Sequence, residues 1–260
     1  MTTEDRDHSS VVESDGAGSR SSRASRKKHL PVWQETILLL AIALALAVVI
    51  KALFVQAFYI PSESMEPGLV KNDRILVEKV SYWFGGTPQR GDVVVFQDPG
   101  DWLGPAESAG PQGGLTQLMA TVGLYPSGGH LVKRVIGVAG DTIKCCDEEG
   151  RISVNGKPLD EDSYVKQTGA DCNGPMIGCN WTAGPVPEGT IFVMGDNRAH
   201  SADSTVHLCT RSATDCVAGD EYVSTDLVVG KVFVLLWPSD RFKFVHRPET
   251  FEDVPDPSQG

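Results

Sequence analysis

The chain has 260 residues, a mass of 28.0 kDa and a formal charge of −11 at pH 7, enough for one or two ordinary domains. With 41% apolar and 22% charged residues it has a globular composition, and its acidity argues against nucleic acid, whose phosphates need a basic footprint. Its 27 Gly and 16 Pro, beside only 7% aromatic residues, suit a turn-rich, largely β protein; a small disulfide knot and a multi-pass transporter are excluded.

Residues 1–32 read as a polar, disordered tail. Its second half is basic, with Arg20, Arg23, Arg26, Lys27 and Lys28 and no acid among them. An apolar stretch follows, unbroken from Thr36 to Ile50 and interrupted up to Ile60 only by Lys51 and Gln56. A cleaved signal peptide starts nearer the N-terminus and ends at a small-x-small site, and a core helix shows a polar face. Neither feature is present, so residues 33–57 are expected to form a transmembrane helix, with Lys51 snorkelling to the interface. The basic cluster places residues 1–32 in the cytoplasm and everything after about residue 56 outside.

All six cysteines (Cys145, Cys146, Cys172, Cys179, Cys209 and Cys216) fall in that outer portion, where disulfides persist. The spacing favours local loops Cys172–Cys179 and Cys209–Cys216 over zinc pairs, whose cysteines sit two to four residues apart, and leaves Cys145 and Cys146 unassigned. Short β-branched runs predict strands at 74–80, 92–96, 130–138, 141–145, 151–159, 190–196 and 227–237. Asn155-Gly156 is a hairpin signal. A Gly/Pro-rich insertion covers 97–130, with a short helix in LTQLMATVGLY, and residues 241–260 read as a loose tail.

Directly after the apolar stretch stands FYIPSESMEPGL, residues 58–69. Pro61 and Pro67 bias it away from helix, and Ser62 and Ser64 would share one side of an extended strand. The bland alternative is a polar turn leaving the membrane. A nucleophilic serine needs a base. His200 and His207 crowd into one loop with Ser201, Asp203 and Ser204, whereas catalytic partners are generally brought together from separate elements. Lys133, in the apolar strand HLVKRVIGV, is the other candidate; a free lysine titrates near 10.4, so action near neutrality needs a drop of roughly 2–3 units. Alternation does not separate Lys133 from Arg134, but only lysine can be deprotonated. Against this stands the reading of Lys133 as a solvated edge-strand lysine.

In that order FYIPSESMEPGL, GDVVVF, LVKRVIGVAGD and VMGDNRAHSADS resemble the bacterial type I signal peptidases of peptidase family S26, the actinobacterial branch most, given Cys145-Cys146-Asp147 and the long polar tail. The resemblance runs from about residue 33 to about 238 and implies a membrane-bound endopeptidase that removes signal peptides from exported preproteins on the outer face of the cytoplasmic membrane. It implies an all-β extracytoplasmic domain over 58–240, antiparallel sheets coiled into a compact core, with a second β region inserted at about 141–190. Ser64 matches the nucleophile, Lys133 the general base, the Ser64 N–H and the Ser62 hydroxyl the oxyanion donors, and Ser201 the serine that orients the lysine amine.

Asp196, Arg198 and Asp203 match structural charges, but the arginine usually paired to Asp203 is Thr205 here. Asp203 is therefore expected to pair with Arg198, or the loop to be less rigid. Phe58, Ile60, Pro61, Met65, Leu69, Ile75 and Val132 match the shallow pockets for small substrate residues. The partners implied are signal peptides and the lipid bilayer, with no cofactor, metal or nucleic acid. Three rivals remain. A LexA-like self-cleaving repressor is opposed by the anchor and the acidic charge; a tethered binding domain would tolerate Ser64→Ala; and Thr205 leaves room for a slow, degenerate paralogue.

Overall fold

A computed structural model describes residues 31–100, 102–104, 113–114, 129–166, 178–209 and 216–257. The expected tail up to residue 30, the helix in LTQLMATVGLY and Cys172 lie outside the described residues. The chain divides into units 1–44 and 45–260. The apolar run forms helix α1 (Val32–Phe54), 23 residues and therefore about 34 Å long, sufficient for a hydrocarbon layer of about 30 Å. Its Val32–Val49 window has a mean hydropathy of 2.2 and no buried side chain.

The helix stops short of residue 57. Val55–Tyr59 is strand β1, which pairs antiparallel with β2 (Arg74–Glu78) and sets Phe58 opposite Ile75. Gln56 and Phe58 point inward on alternate positions, and that period of two fixes a strand where hydropathy alone continues the helix. The main antiparallel sheet runs β1-β2-β11-β3-β4-β9-β10. It contains β3 (Val93–Gln97), β4 (His130–Gly137), β9 (Thr190–Met194), β10 (Val223–Ser224) and β11 (Val228–Trp237). Register shifts in β11 and between Val135 and Gly137 of β4 mark bulges, which bend and twist a sheet so that it curls.

Between β4 and β9 the chain builds a second sheet, ordered β7-β6-β5-β8, from β5 (Ile143–Cys145), β6 (Ile152–Val154), β7 (Lys157–Pro158) and β8 (Trp181–Ala183). Asn155 and Gly156 have φ of 52° and 81° and join β6 to β7, the mirror-image turn their sequence calls for. The fold is therefore the mainly β, curled antiparallel architecture expected, with an N-terminal apolar helix.

The expected loose tail is a correction. Lys243–Phe244 forms β12 on β11, Arg241 and Arg247 bond the buried Asp73 and Asp92, and Phe251 and Val254 are buried beside Ile136 and Phe192. The prolines and acids there hold an irregular path, but two apolar side chains and two arginines find buried partners, and those contacts decide the outcome. Cys209 bonds Cys216, as the spacing predicts, with Cα atoms 5.3 Å apart. Cys145 and Cys146 bond each other, and Cys179 is also disulfide-bonded.

Candidate active site

The segment that carries Ser64 leaves β1 through Ile60, whose N–H donates 2.9 Å to the Asp73 carbonyl. Residues 62–66 do not stay extended as expected; they turn, with the Glu66 N–H donating to Glu63 O at 3.1 Å. Asn197 causes this. Its N–H donates 3.0 Å to the Ser64 carbonyl, and its side-chain amide donates 3.1 Å to the Glu63 carbonyl. The turn just after β9 thereby fastens Ser64 beside β4, and Ser62 Oγ still lies 3.2 Å from Ser64 Oγ.

Lys133 and Arg134, which alternation could not separate, go to opposite fates. Lys133 Nζ hydrogen-bonds Ser64 Oγ at 2.7 Å, with Lys133 4% and Ser64 5% exposed. Arg134 donates to both Asp196 oxygens at 2.8 and 2.7 Å and to Gly91 O, and lies 4.5 Å from the centre of the Tyr164 ring. Burial pulls its pKa down, but the Asp196 charge and hydrogen bonds outweigh this and the net shift is upward. Arg134 is thus held as a permanent cation, while the lysine alone reaches the serine.

Asp203 does not pair with Arg198. Its carboxylate accepts from Ser201 Oγ at 2.6 Å, Gly195 N at 2.9 Å, Thr205 N at 3.1 Å and Thr205 Oγ1 at 2.6 Å. Thr205, with both a backbone and a hydroxyl donor within reach, supplies two of these bonds, and the buried loop is tied down rather than slack. Arg198 instead pairs with Glu161, both fully buried, and donates 3.0 Å to Gly195 O. Desolvation lowers the Arg198 pKa, yet the Glu161 charge and hydrogen bonds carry the net shift upward.

A cleft of about 450 Å³ opens over Ser64 and Lys133. Ile60, Pro61, Met65 and Val132 line it with Ser62, whereas Phe58, Leu69 and Ile75 are buried in the apolar core behind. His200 borders the cleft, and His207 stacks on Trp102. Beside the cleft, β9 pairs with β4 only from Arg134 onward, so β9 does not continue along residues 130–133. Sequence reasoning missed Gly195, Asn197 and Glu161. A Cβ at Gly195 would overlap Ser201 Oγ and the Ser64 carbonyl oxygen, so only glycine lets the two serines approach there. The Gly-Asp-Asn run was a signal for the first two; nothing in LDEDSY marks Glu161.

A buried serine bonded to a buried lysine, on a curled antiparallel β sheet, defines a candidate hydrolase. The family model described as signal peptidase, peptidase S26 matches residues 33–237, and the chain belongs to that family. A probable signal peptidase I of Mycobacterium leprae is 37% identical over 83% of this chain and 80% of its own length. The signal peptidase I of Mycobacterium tuberculosis is also 37% identical, over 82% and 75%, and that of Leptolyngbya laminosa 33%, over 88% and 91%.

Proposed function

We propose that this chain is a membrane-anchored serine endopeptidase that removes signal peptides from preproteins, cutting after small-x-small sites such as Ala-x-Ala. The observation that carries the reading is the 2.7 Å contact between Lys133 Nζ and Ser64 Oγ, made by side chains withdrawn from water. The family membership and the relatives' names supply the substrate class.

The preprotein lies extended along β4 at residues 130–133, where backbone hydrogen bonds accept many sequences and the shallow apolar cleft accepts small side chains. The neutral Lys133 amine takes the Ser64 proton as Oγ attacks the scissile carbonyl carbon. The Ser64 N–H and Ser62 hydroxyl receive the developing oxyanion. Collapse breaks the C–N bond, and the Lys133 ammonium returns the proton to the departing amine, leaving an ester on Ser64. Water, deprotonated by the same amine, then hydrolyses the ester. Ser201, whose hydroxyl proton is committed to Asp203, offers its remaining lone pairs to orient the amine. The basic segment before α1 favours a cytoplasmic N-terminus and an extracytoplasmic catalytic domain in the cytoplasmic membrane of a bacterium.

The test is cleavage of a preprotein with a single Ala-x-Ala site by the detergent-solubilised full chain, with the product mapped by mass spectrometry. Wild type is expected to cut after the second Ala, and Ser64→Ala to lose about 1,000-fold or more in kcat. Equal cleavage by Ser64→Ala would remove the serine from the chemistry and favour the tethered binding domain with a contaminating protease.

A further inference from the structure

Between β3 and β4 the chain makes an excursion, and its first residues are built onto the cleft. Asp98 organises them: Oδ1 accepts from the Gly100 and Trp102 N–H groups, each at 3.1 Å, and Oδ2 accepts from the Leu103 N–H at 3.2 Å. The Asp98 N–H donates 2.9 Å to Gly129 O just ahead of β4, closing the base of the excursion. Trp102 is thereby fixed with 8% of its surface exposed. Its ring meets Phe96 edge-on at 6.1 Å and lies parallel to His207 at 4.4 Å and 6°. The stretch from Phe96 to Asp98 and the loop of His207 thus hold one indole that lines the same cleft as Ser64 and Lys133.

Register gives that indole a substrate position. Val94 is the cross-strand partner of Lys133 and Phe96 that of Leu131, so Leu131 and Lys133 share one face of β4. Trp102 and Leu131 pack in one apolar cluster, about 7 Å along the strand from Lys133. A peptide strand added along β4 at residues 130–133, where β9 does not pair, would project the residue opposite Leu131 onto this face, against the indole. We propose that Trp102 is a specificity-determining residue: its ring is a rigid wall that restricts the substrate residue paired with Leu131 to a small side chain. This rests on the peptidase reading of the site.

The experiment measures kcat/KM of the full chain, wild type and Trp102→Ala, on preproteins carrying Leu in place of a small residue at each successive position before the cut. The expected result is that Trp102→Ala raises the Leu-to-Ala ratio about tenfold or more at one position and leaves the ratio at the others as in wild type. Trp102→Phe, which keeps an aromatic wall, should retain the wild-type ratios. An unchanged ratio at every position, or an equal relaxation at all of them, overturns the proposal, the latter because loosened packing has no preferred position. Should Trp102→Ala fold poorly, His207→Ala, which removes only the backing ring, should relax the same single position; relaxation elsewhere overturns the proposal equally. Ser64→Ala in the same assay separates the two readings, since activity there sinks the catalytic reading, while a dead Ser64→Ala with fixed Trp102 ratios sinks this one alone.

Discussion

Gly195 shows how narrowly the site is built. It stands where the turn after β9 passes between Ser201 and the Ser64 carbonyl, and any side chain there pushes the two serines apart. A displacement on the order of 1 Å costs about 100-fold in rate, so Gly195→Ala should lower kcat by at least that factor while KM changes far less. Steady-state kinetics with a thermal melt on the same sample checks this; wild-type kcat would contradict the packing described. His207 offers a pH test at the same scale. Burial lowers its pKa, and the nearby Asp220, Asp203, Asp98 and Glu221 only partly oppose this. Because the folded chain binds this proton less readily than the unfolded one, the contribution of neutral His207 is complete above the unfolded value near 6.5. It is lost as pH falls through the lower folded value. Melts between pH 7.5 and 5 should show a steeper acid loss for wild type than for His207→Asn; parallel curves would contradict it.

Among the elements, the turn after β9, the Ser64 segment and the chain between the second sheet and β9 are tied together by one backbone bond, one exposed ion pair and one buried one. Lys166 N–H donates 2.9 Å to Asp196 O, Lys166 pairs with Glu66, and Glu161 holds Arg198 under Gly195. Glu161→Gln would remove the carboxylate that pairs with the buried Arg198 cation, at a cost of about 3–5 kcal/mol. Urea unfolding measures it, and a loss under about 1 kcal/mol would mean that Arg198 finds another anion. The elements were unevenly legible in the sequence. Seven strands announced themselves by β-branched runs between Gly, Pro, Asn and Asp, and the Asn155-Gly156 hairpin by its turn chemistry. β1 did not, because its apolar residues continue those of α1 and only pairing with β2 reveals the change of period. β8, β10 and β12, of three residues or fewer, are too short to show a pattern. At the site, Ser64 and Lys133 were legible because few residue types can attack or deprotonate. The partner of Arg198 was not, since an ion pair across 37 residues leaves no local trace.

For the whole molecule, family membership, the apolar helix and the site converge on one enzyme: a peptidase held at a membrane, with Ser64 five residues past the first strand of a curled sheet. The C-terminal segment is part of that body rather than an appendage, because Phe251 and Val254 complete the core against which the second sheet packs. The proposed role of Lys133 as a neutral base on Ser64 is tested by Lys133→Arg. Arginine is a similarly long basic side chain but stays protonated and cannot give up its proton. The measurement is single-turnover cleavage of an Ala-x-Ala preprotein by Lys133→Arg beside wild type, both verified as folded by thermal melts. A loss on the order of 1,000-fold is expected at every pH tested. Cleavage within about tenfold of wild type would contradict it, assigning the proton to another group, with His200 at the border of the cleft the next to examine.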